Sequence, residues 1–557
     1  MNSDLKKNYI LFLVLSVLVI VGYSAFFTET PEEKKATRTD QPAPMSFASG
    51  NFSEETGSIQ KSPEKFEPIK PSYTSKIIKV SSDIYTAEID TLGGRITGWE
   101  LLEYRTSIEP GSAAVAAISE GKKSFDTTLR VKNEKMPELI PFSYTGDTNL
   151  AVGENGLDVN LVWKKPDGLT VRKTISFYPG KYFIRQNLEV FNGTQRQISQ
   201  KVYVTWENTV YESSGSNSLY EFVSMVGGEV KRIKKPLKEV KTYIGEPNWF
   251  GFGDKYFLNA FLPEIGGDRE LYLQPLDEKG VAGASFSYPE QKTVSGKSYK
   301  VGWKSYFGPK NELDLKEAGY KLEKSIDYGY VGGLTKIAVV ALKFVNNFFS
   351  NYGISIIVLT ILLRVVFLPL TVKSMKSMKA MQNKMKGLKP EIDALKEKYK
   401  DDKSTQQTEM MKLYTSNNIN PLSSLGGCLP LLIQFPVFIA LYFALLYSID
   451  LRHSSFLWVN DLSQPEHLFD VMGIPFRVLP ILMGVSWFLS QKLTPMTAPG
   501  SETMELQMKL MQFMPIIFTV MFWGLPSGLI LYWTVSNILS VFQQLYINRQ
   551  VPDPEGG

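Results

Sequence analysis

Arg364 is the residue whose type and surroundings most directly imply a chemical role. It lies in an apolar run, residues 352–370, that otherwise has the length and composition of a membrane-spanning helix. A lone arginine there costs about 2.5–3.5 kcal/mol on insertion scales. The apolar stretches of the predicted spans contain no Asp and no Glu, so none of them supplies a carboxylate to pair with it. Arg364 therefore either reaches the membrane interface or faces a hydrated, positively charged cavity.

The depth of Arg364 favours the cavity, which would bind polar groups. The flanking Lys373 is about nine residues away, roughly 13 Å along a helix, which makes it difficult for the arginine to reach the interface. Other polar side chains occur in the predicted spans: Thr360, Gln434, Ser486, Gln491, Thr519, Thr534, Ser536 and Asn537. Each alone is typical of a hydrogen bond between helices, but beside an unpaired arginine some of them are expected to line one cavity.

Residues for bond-making chemistry are scarce. We find no P-loop, no Rossmann glycine fingerprint, no H-E-x-x-H and no GxSxG elbow. The two histidines, His453 and His467, and the single cysteine, Cys428, argue against a disulfide framework and a Cys- or His-based metal site. The region 28–328 has no histidine for proton transfer near neutral pH. The sequence thus predicts no enzyme, no cofactor and no metal.

The elements that would position Arg364 are six predicted membrane spans. The first is an uncleaved anchor over residues 1–27, with two lysines before its apolar stretch. The last two derive from one apolar run that is too long for a single helix across about 30 Å and that Pro526-Ser527-Gly528 divides. The five spans after the anchor are predicted over residues 352–370, 429–448, 476–492, 511–525 and 527–547.

The distribution of charge predicts the orientation of these spans. Residues 371–428 contain eleven lysines and six acidic residues, whereas the loops on the opposite side contain mainly acidic residues. The positive side is cytoplasmic, so both termini are predicted to be cytoplasmic and the polar region after the anchor external. A formal net charge of +5 is too small to suggest binding to DNA.

The external region divides into three predicted parts. Residues 28–74 are rich in proline and polar residues, which is typical of a flexible linker. Residues 75–328 predict an all-β domain, with strands of alternating polarity at 76–80, 84–89, 168–177, 182–191 and 201–206. Residues 329–350 predict an amphipathic helix in the external membrane interface, the alternative being a surface helix of the β domain.

The cytoplasmic segment 371–428 predicts a helical hairpin. Its second helix is predicted from Ser404, with Gln407 completing a capping box, to about Ser416. The first helix has a methionine side and a lysine side, which include Met375, Met378, Met381 and Met385, and Lys376 and Lys379. The methionines are either the seam of the hairpin or an adaptable surface for apolar client segments. The lysines are either solvated or contact anionic lipid or ribosomal RNA.

Residues of about 330–548 carry a specific combination of motifs. It resembles the Oxa/YidC/Alb family of membrane protein insertases, and the anchor and large external domain resemble the family's Gram-negative type with a large periplasmic domain. The matching stretches are 352–357 through Arg364 to Pro369-Leu370, Asn420-Pro421-Leu422, 426–436, Phe513-Met514-Pro515, Phe518-Thr519, 526–529, Tyr532-Trp533 and 535–537.

The resemblance implies an α-helical core of five helices plus the anchor, with a periplasmic β-supersandwich similar to sugar mutarotases. It also implies a groove that opens to the cytoplasm and to lipid. Arg364 matches the groove arginine of the family, and Thr360 and one residue of the pair Tyr532 and Trp533 match positions near it. The predicted set of groove residues is completed by Gln434, Thr519 and Ser536.

Function and partners follow from the same resemblance. The chain is expected in the inner membrane of a Gram-negative bacterium, where nascent membrane proteins would be its clients and the Sec translocon its partner. A polar client tail would enter the groove near Arg364 while the apolar segment moves into the phospholipid bilayer. The tail 549–557 is short and contains Asp553 and Glu555, which disfavours contact with the ribosome through the tail.

Two other classes of protein compete with this prediction. A small-molecule transporter with an external sensing domain would be favoured by internal repeats, and we see none among the predicted spans. A membrane-anchored carbohydrate-active protein would be favoured by a histidine or by paired carboxylates in a pocket of the β domain. That domain has no histidine.

Overall fold

The structure is a computed structural model of the chain. It describes residues 73–118, 124–207, 221–233, 241–245, 247–264, 269–276, 281–417, 429–493 and 502–550. The predicted anchor over 1–27, the predicted linker up to residue 72, the motif 420–428 and the tail after residue 550 lie outside the described residues.

The first half of the described chain consists of β-strands joined by short turns. All five strands predicted from alternating polarity are present, as β1, β2, β8, β9 and β10, which confirms the β-rich architecture. The strands are β1 (Ile77–Ser81), β2 (Tyr85–Asp90), β3 (Arg95–Arg105), β4 (Ala114–Ile118), β5 (Asp126–Val131), β6 (Asn149–Ala151), β7 (Leu157–Lys164), β8 (Leu169–Phe177), β9 (Phe183–Asn192), β10 (Ile198–Glu207), β11 (Glu221–Val226), β12 (Glu229–Ile233), β13 (Lys241–Gly245), β14 (Pro247–Gly253), β15 (Phe257–Pro263), β16 (Arg269–Leu276), β17 (Val281–Ser287), β18 (Gln291–Thr293) and β19 (Ser298–Pro309).

These strands form three sheets. The largest has the order β12-β11-β14-β15-β19-β9-β8-β7, the second β4-β3-β2-β1-β6, and the third β13-β16-β17-β10-β18 with β5 also paired to β10. Within the named strands the pairs are antiparallel except that of β1 with β6. Some antiparallel neighbours are consecutive strands with a short connection, as β1 with β2 and β8 with β9, whereas others, such as β9 with β19, are distant in sequence.

Aromatic side chains hold the sheets together. The Trp99 ring of β3 stacks 4.2 Å from Tyr85 and 4.7 Å from Phe307 of β19. The Trp206 ring of β10 stacks 5.0 Å from Phe250 of β14. The largest sheet therefore packs face to face against both of the others, and alternate residues of each strand form the core.

The second half of the described chain is helical. Its nine described α-helices are α1 (Glu312–Ala318), α2 (Gly332–Phe349), α3 (Tyr352–Gly387), α4 (Lys389–Lys398), α5 (Lys403–Ser416), α6 (Leu429–Tyr447), α7 (Val478–Leu493), α8 (Glu502–Met521) and α9 (Ser527–Gln550). Between α6 and α7 lies a two-stranded hairpin of β20 (Asp470–Val471) and β21 (Ile474–Pro475).

By length and composition, one helix among the described residues is able to cross a membrane. It is α3, and shorter apolar stretches occur at Gln434–Tyr447, Val478–Leu493 and Gln512–Met521. With 36 residues, α3 is about 54 Å long. The predicted span 352–370 and the first part of the hairpin form one continuous helix, because Pro369 lies inside the helix and no cap interrupts it. The first arm of the predicted hairpin is a continuation of the span.

The rest of the hairpin also differs from the prediction. The short helix α4 was not expected, and the N-cap of α5 is Asp402, so the predicted capping box of Ser404 and Gln407 is wrong. The Asp402 carboxylate accepts hydrogen bonds from the backbone N–H groups of Ser404 and Thr405, at 3.2 and 3.1 Å. An aspartate at this position accepts hydrogen bonds from two backbone N–H groups of the first turn that have no partner within the helix, and its negative charge complements the helix dipole.

Helix α2 belongs with the other helices. Its Leu342 and Val345 are buried, and Leu342 joins the hydrophobic cluster of the helical half. The opposite side exposes large apolar residues, Leu334, Ile337, Val340, Phe344 and Phe348. The placement of this helix in the external membrane interface stays a prediction.

Ion pairs and hydrogen bonds join the β domain to the helices. Glu312 of α1 binds Lys336 of α2 at 2.9 Å and Lys316 at 2.7 Å. Burial alone would raise the pKa of Glu312, but the two lysines outweigh it and hold the pKa at about 2. In the loop after α6, the Arg452 guanidinium donates to the carbonyl oxygen of Arg105 in β3 at 2.6 Å.

Candidate functional site

Arg364 lies in the N-terminal half of α3 and faces α9. Its Nη2 donates to the carbonyl oxygen of Ser536 at 2.8 Å and to the Ser536 hydroxyl at 2.5 Å. In the described part of the chain no carboxylate forms an ion pair with Arg364, and its buried Nε has no hydrogen-bond partner. A half-buried cation with donors to spare is therefore available to another acceptor.

A small cavity, with a volume of about 20 Å³, adjoins this guanidinium. Three helices form it, α3, α6 and α9, and its walls are part polar and part apolar. The lining residues are Thr360, Leu363, Arg364, Phe367, Thr371, Gln434, Val437, Tyr532 and Ser536.

Helical spacing explains why these residues meet. Thr360, Arg364 and Thr371 lie on one side of α3, and Tyr532 and Ser536, four residues apart, lie on one side of α9. Gln434 comes from α6. These side chains line one cavity because each of the three apolar helices has one polar side, and the three polar sides face each other.

A chain of hydrogen bonds orders the polar wall. Gln434 Nε2 donates to the Tyr532 hydroxyl. The Thr360 hydroxyl donates to the carbonyl oxygen of Ile356 at 2.6 Å, which satisfies it within its own helix. These bonds leave the Arg364 charge as the strongest unsatisfied feature of the cavity.

Sequence reasoning missed a second polar pair. Gln543 Nε2 of α9 donates to the Thr371 hydroxyl of α3 at 2.7 Å, and Thr371 lines the cavity. Thr371 is seven residues after Arg364 and so on the same side of α3, a signal that was available in the sequence. It was overlooked because the predicted span ended at residue 370.

Two predicted groove residues lie elsewhere. Trp533 points into an aromatic cluster, with its ring 4.6 Å from Phe438 and 4.9 Å from Phe522. Thr519 of α8 packs against Gly484 of α7, where an added Cβ would lie 2.2 Å from its hydroxyl oxygen. The structure therefore brings Arg364, Thr360, Gln434, Tyr532 and Ser536 together without Trp533 or Thr519.

The methionine side of α3 is split between two environments. Met381 and Met385 pack with Leu388, Ile392 and Met410, so this end is the seam of the hairpin. Met375 is buried and Met378 is half-buried, nearer the cavity. Among the lysines, Lys376 is exposed and Lys379 is buried.

Comparison with known proteins shows the family of both halves of the chain. A family profile described as "60Kd inner membrane protein" matches residues 344–554, and one described as "YidC periplasmic domain" matches residues 77–340. A galactose mutarotase-like protein from Clostridium acetobutylicum has a TM-score of 0.31 at 8% identity, covering 42% of this chain and 98% of that chain. A likeness of that size carries no argument.

Relatives match over nearly the whole length. The membrane protein insertase YidC of Pelobacter propionicus is 35% identical over 99% of this chain and 100% of its own. Those of Geobacter metallireducens and Syntrophus aciditrophicus are 32% and 34% identical over 99% and 98% of this chain, and over 100% of their own lengths. This chain therefore belongs to the YidC family of membrane protein insertases, inner membrane proteins with a periplasmic β domain.

Proposed function

We propose that the chain inserts client proteins into the inner membrane by admitting a polar client segment to the cavity around Arg364. The client's apolar segment stays against lipid throughout. The mechanism is binding and desolvation, without bond chemistry. The observation that carries the proposal is the half-buried guanidinium, held by Ser536 and lacking an ion pair within the described residues.

The role of Arg364 in this mechanism follows from the free-energy cost of moving a charged client tail out of water. An ion that leaves water pays several kcal/mol even after the protein relaxes. A guanidinium has five N–H donors, and Ser536 receives hydrogen bonds from Nη2 alone. An acidic client tail that accepts from the remaining donors gains charge-assisted hydrogen bonds and offsets part of that cost.

The apolar segment of a client moves along the outer side of α8. Large apolar residues are exposed along it, Phe513, Ile516, Ile517 and Val520. On α6, Phe435 is exposed in the same way. These surfaces offer a client helix the same apolar environment as lipid tails, so the helix moves along them without crossing a polar barrier.

Short helices lower the barrier further. The apolar part of α8, Gln512–Met521, has ten residues and is about 15 Å long. The hydrocarbon core of a bilayer is about 30 Å thick, and a shorter apolar segment thins the bilayer around it. A thinner bilayer shortens the path of a client's polar tail.

The orientation and the remaining partners belong to the same proposal. Both termini are cytoplasmic, and the spans are the anchor over 1–27, the first part of α3, and α6 to α9. Residues 28–74 link the anchor to a periplasmic domain over 75–328, the interfacial helix occupies 329–350, and the insertase core 351–548. The exposed Lys376 supports contact with anionic lipid or the ribosome, and the Sec translocon is a second partner.

Reconstitution of the purified chain in liposomes with a short single-span client tests the proposal. Two versions of the client differ only in acidic or neutral residues in the translocated tail. We expect Arg364→Ala to lower insertion of the acidic version about tenfold, which corresponds to one lost charge-assisted interaction. Arg364→Lys retains most of the activity because it retains the charge.

Arg549→Ala is the matched control, since it removes an exposed arginine of α9 that does not line the cavity. It leaves insertion unchanged. Equal insertion by the wild type and both Arg364 variants would exclude the arginine from the mechanism. Insertion no better than in empty vesicles would contradict the insertase activity of the chain for this client.

A further inference from the structure

The external loop between α6 and α7 presents an apolar hairpin. Its strands are Asp470–Val471 and Ile474–Pro475, joined by Met472 and Gly473. The side chain of Met472 is fully exposed, and Ile474 is 62% exposed. The Phe469 and Phe476 rings stack at 4.9 Å across its base.

Turn geometry does not explain the methionine. Both turn residues have positive φ, 53° for Met472 and 79° for Gly473. A two-residue turn of this kind favours Asn, Asp or Gly, and a long side chain there costs backbone strain. Because Met472 is fully exposed, no packing contact of its side chain offsets this strain. Leu457 of the same loop repeats the combination, with φ of 51° and 74% exposure.

The base of the hairpin is fixed at the end of two apolar helices. Helix α7 begins at Val478, directly after the hairpin, and Arg477 donates to the carbonyl oxygen of Trp523 at the end of α8. The outward side of α7 exposes apolar residues that continue from the hairpin: Ile481, Leu482, Val485, Phe488 and Leu489. The hairpin therefore lies where the lipid-facing surface of α7 starts.

Charge and length both match shallow insertion in lipid. Residues 471–476 carry no charge, and the charged residues that flank them have partners at the base: Asp470 lies 3.2 Å from the His467 ring nitrogen, and Arg477 donates to the Trp523 carbonyl oxygen. At about 3.3 Å per residue the tip extends roughly 7–10 Å beyond Asp470 and His467. Apolar anchors lie about 5–10 Å deep in the boundary between headgroups and acyl chains.

We propose that the tip of this hairpin, residues 471–474, inserts into the external leaflet of the bilayer and holds the loop at a fixed depth beside α7. The occupant of the apolar tip is phospholipid, not protein, because the surface is continuous with the lipid-facing side of α7. The inference needs the membrane placement of the helices and does not depend on insertase activity.

Depth-dependent fluorescence quenching tests it in the full-length chain. Cys428, the only cysteine, is replaced by serine, and Met472→Cys is labelled with the environment-sensitive fluorophore NBD. Because Met472 is fully exposed, the substitution does not disturb packing. The protein is reconstituted in phosphatidylethanolamine and phosphatidylglycerol vesicles whose acyl chains are brominated either near the glycerol or near the chain end.

Two further labelled variants give reference values of quenching for lipid and for water. Ile481→Cys on α7 is the lipid-facing reference. Lys297→Cys is the aqueous reference, since it lies beyond the Ser298 end of β19, about 36 Å from the end that leads to the helices. We expect the fractional quenching at position 472 by bromines near the glycerol to lie within about twofold of that at position 481. The reason is that a label at interfacial depth lies close to these bromines.

Both orientations of the protein in the vesicle give the same signal, because both leaflets contain brominated lipid. A label at position 472 that is quenched by aqueous iodide as strongly as the label at 297, and not by lipid, overturns the proposal. So does protection from iodide that increases with the protein-to-lipid ratio without quenching by lipid, since the tip then contacts another copy of the chain.

Discussion

At the scale of residues, the pair Tyr532 and Trp533 shows how a structure selects between neighbours. Consecutive residues of a helix point about 100° apart. The Tyr532 hydroxyl therefore meets Gln434 in the cavity, while the Trp533 ring lies in the aromatic cluster with Phe438. The resemblance left both open, because motif matching gives a position along the chain but no direction.

Lys173 is a buried cation that the sequence analysis did not single out. Its ammonium group lies in the β core, where it donates to the Gly94 carbonyl oxygen at 2.6 Å and to the Thr127 hydroxyl at 2.8 Å. Burial lowers its pKa from 10.5 to about 7, although the nearby Asp126 acts in the opposite direction. The folded state therefore binds this proton less tightly than the unfolded state does.

The stability of the β domain should consequently depend on pH. Between about pH 7 and 10.5 the unfolded chain holds the Lys173 proton and the folded chain has lost it, so this residue makes stability rise with pH across that window. The denaturation midpoint of the full chain in detergent measures this. In Lys173→Met the contribution of residue 173 disappears, and the variant's curve is flatter than that of the wild type. Parallel curves would contradict the lowered pKa.

At the scale of elements, Glu466 shows how a loop completes a helix. Its buried carboxylate accepts from the backbone N–H of Leu479 in the first turn of α7 at 2.6 Å, and from Trp458 Nε1 at 2.7 Å. Helix termini leave such donors unsatisfied, and a negative charge also complements the dipole. Glu466 thus joins the external loop to the start of a span.

Glu466→Ala should destabilise the helical half by about 1–3 kcal/mol, because it leaves the buried N–H of Leu479 and the part-buried indole N–H of Trp458 unpaired. Thermal unfolding in detergent measures the change as a lower melting temperature. Asp470→Asn is the control, since Asp470 is exposed and, among the described side chains, pairs with His467 alone. We expect the control to shift stability by less than about 0.5 kcal/mol. Equal shifts in both variants would mean that the cap has no special role.

At the scale of the whole molecule, Arg452 connects the β domain to the helices. Its Nη2 donates to the carbonyl oxygens of Arg105 and Thr106 at 2.6 and 3.4 Å. Its guanidinium also lies 5.6 Å from the ring centre of Phe257. These contacts join the loop after α6 to strands β3 and β15.

Arg452→Ala should loosen this joint without unfolding either half. The loss of charged hydrogen bonds and a cation–π contact, about 1.5–3 kcal/mol, predicts amide exchange at residues 105–112 that is faster by roughly ten- to a hundredfold. Hydrogen exchange with mass spectrometry measures this. Exchange in β8 and β9, away from the joint, stays unchanged and serves as the internal control. Arg452→Lys, which lacks the planar fork, gives an intermediate rate.

Much of the architecture follows from local properties of the sequence. Alternating polarity predicts the strands, long apolar runs predict the helices, and the distribution of lysines predicts an orientation. Arg364 is conspicuous for the same reason, since a lone charge in an apolar run is visible without knowledge of its neighbours. Each of these signals needs only residues that are close together along the chain.

The composition of the cavity was decided only by the tertiary structure. Arg364 and Ser536 are 172 positions apart, as are Thr371 and Gln543, and no local period relates them. Whether Met381 and Met385 faced a client or the hairpin seam depended on where α4 and α5 pack. The sequence by itself determined that Arg364 needs a polar environment, because burying a charge is costly. Helix packing decided which side chains provide that environment, because packing joins surfaces that are distant in the sequence.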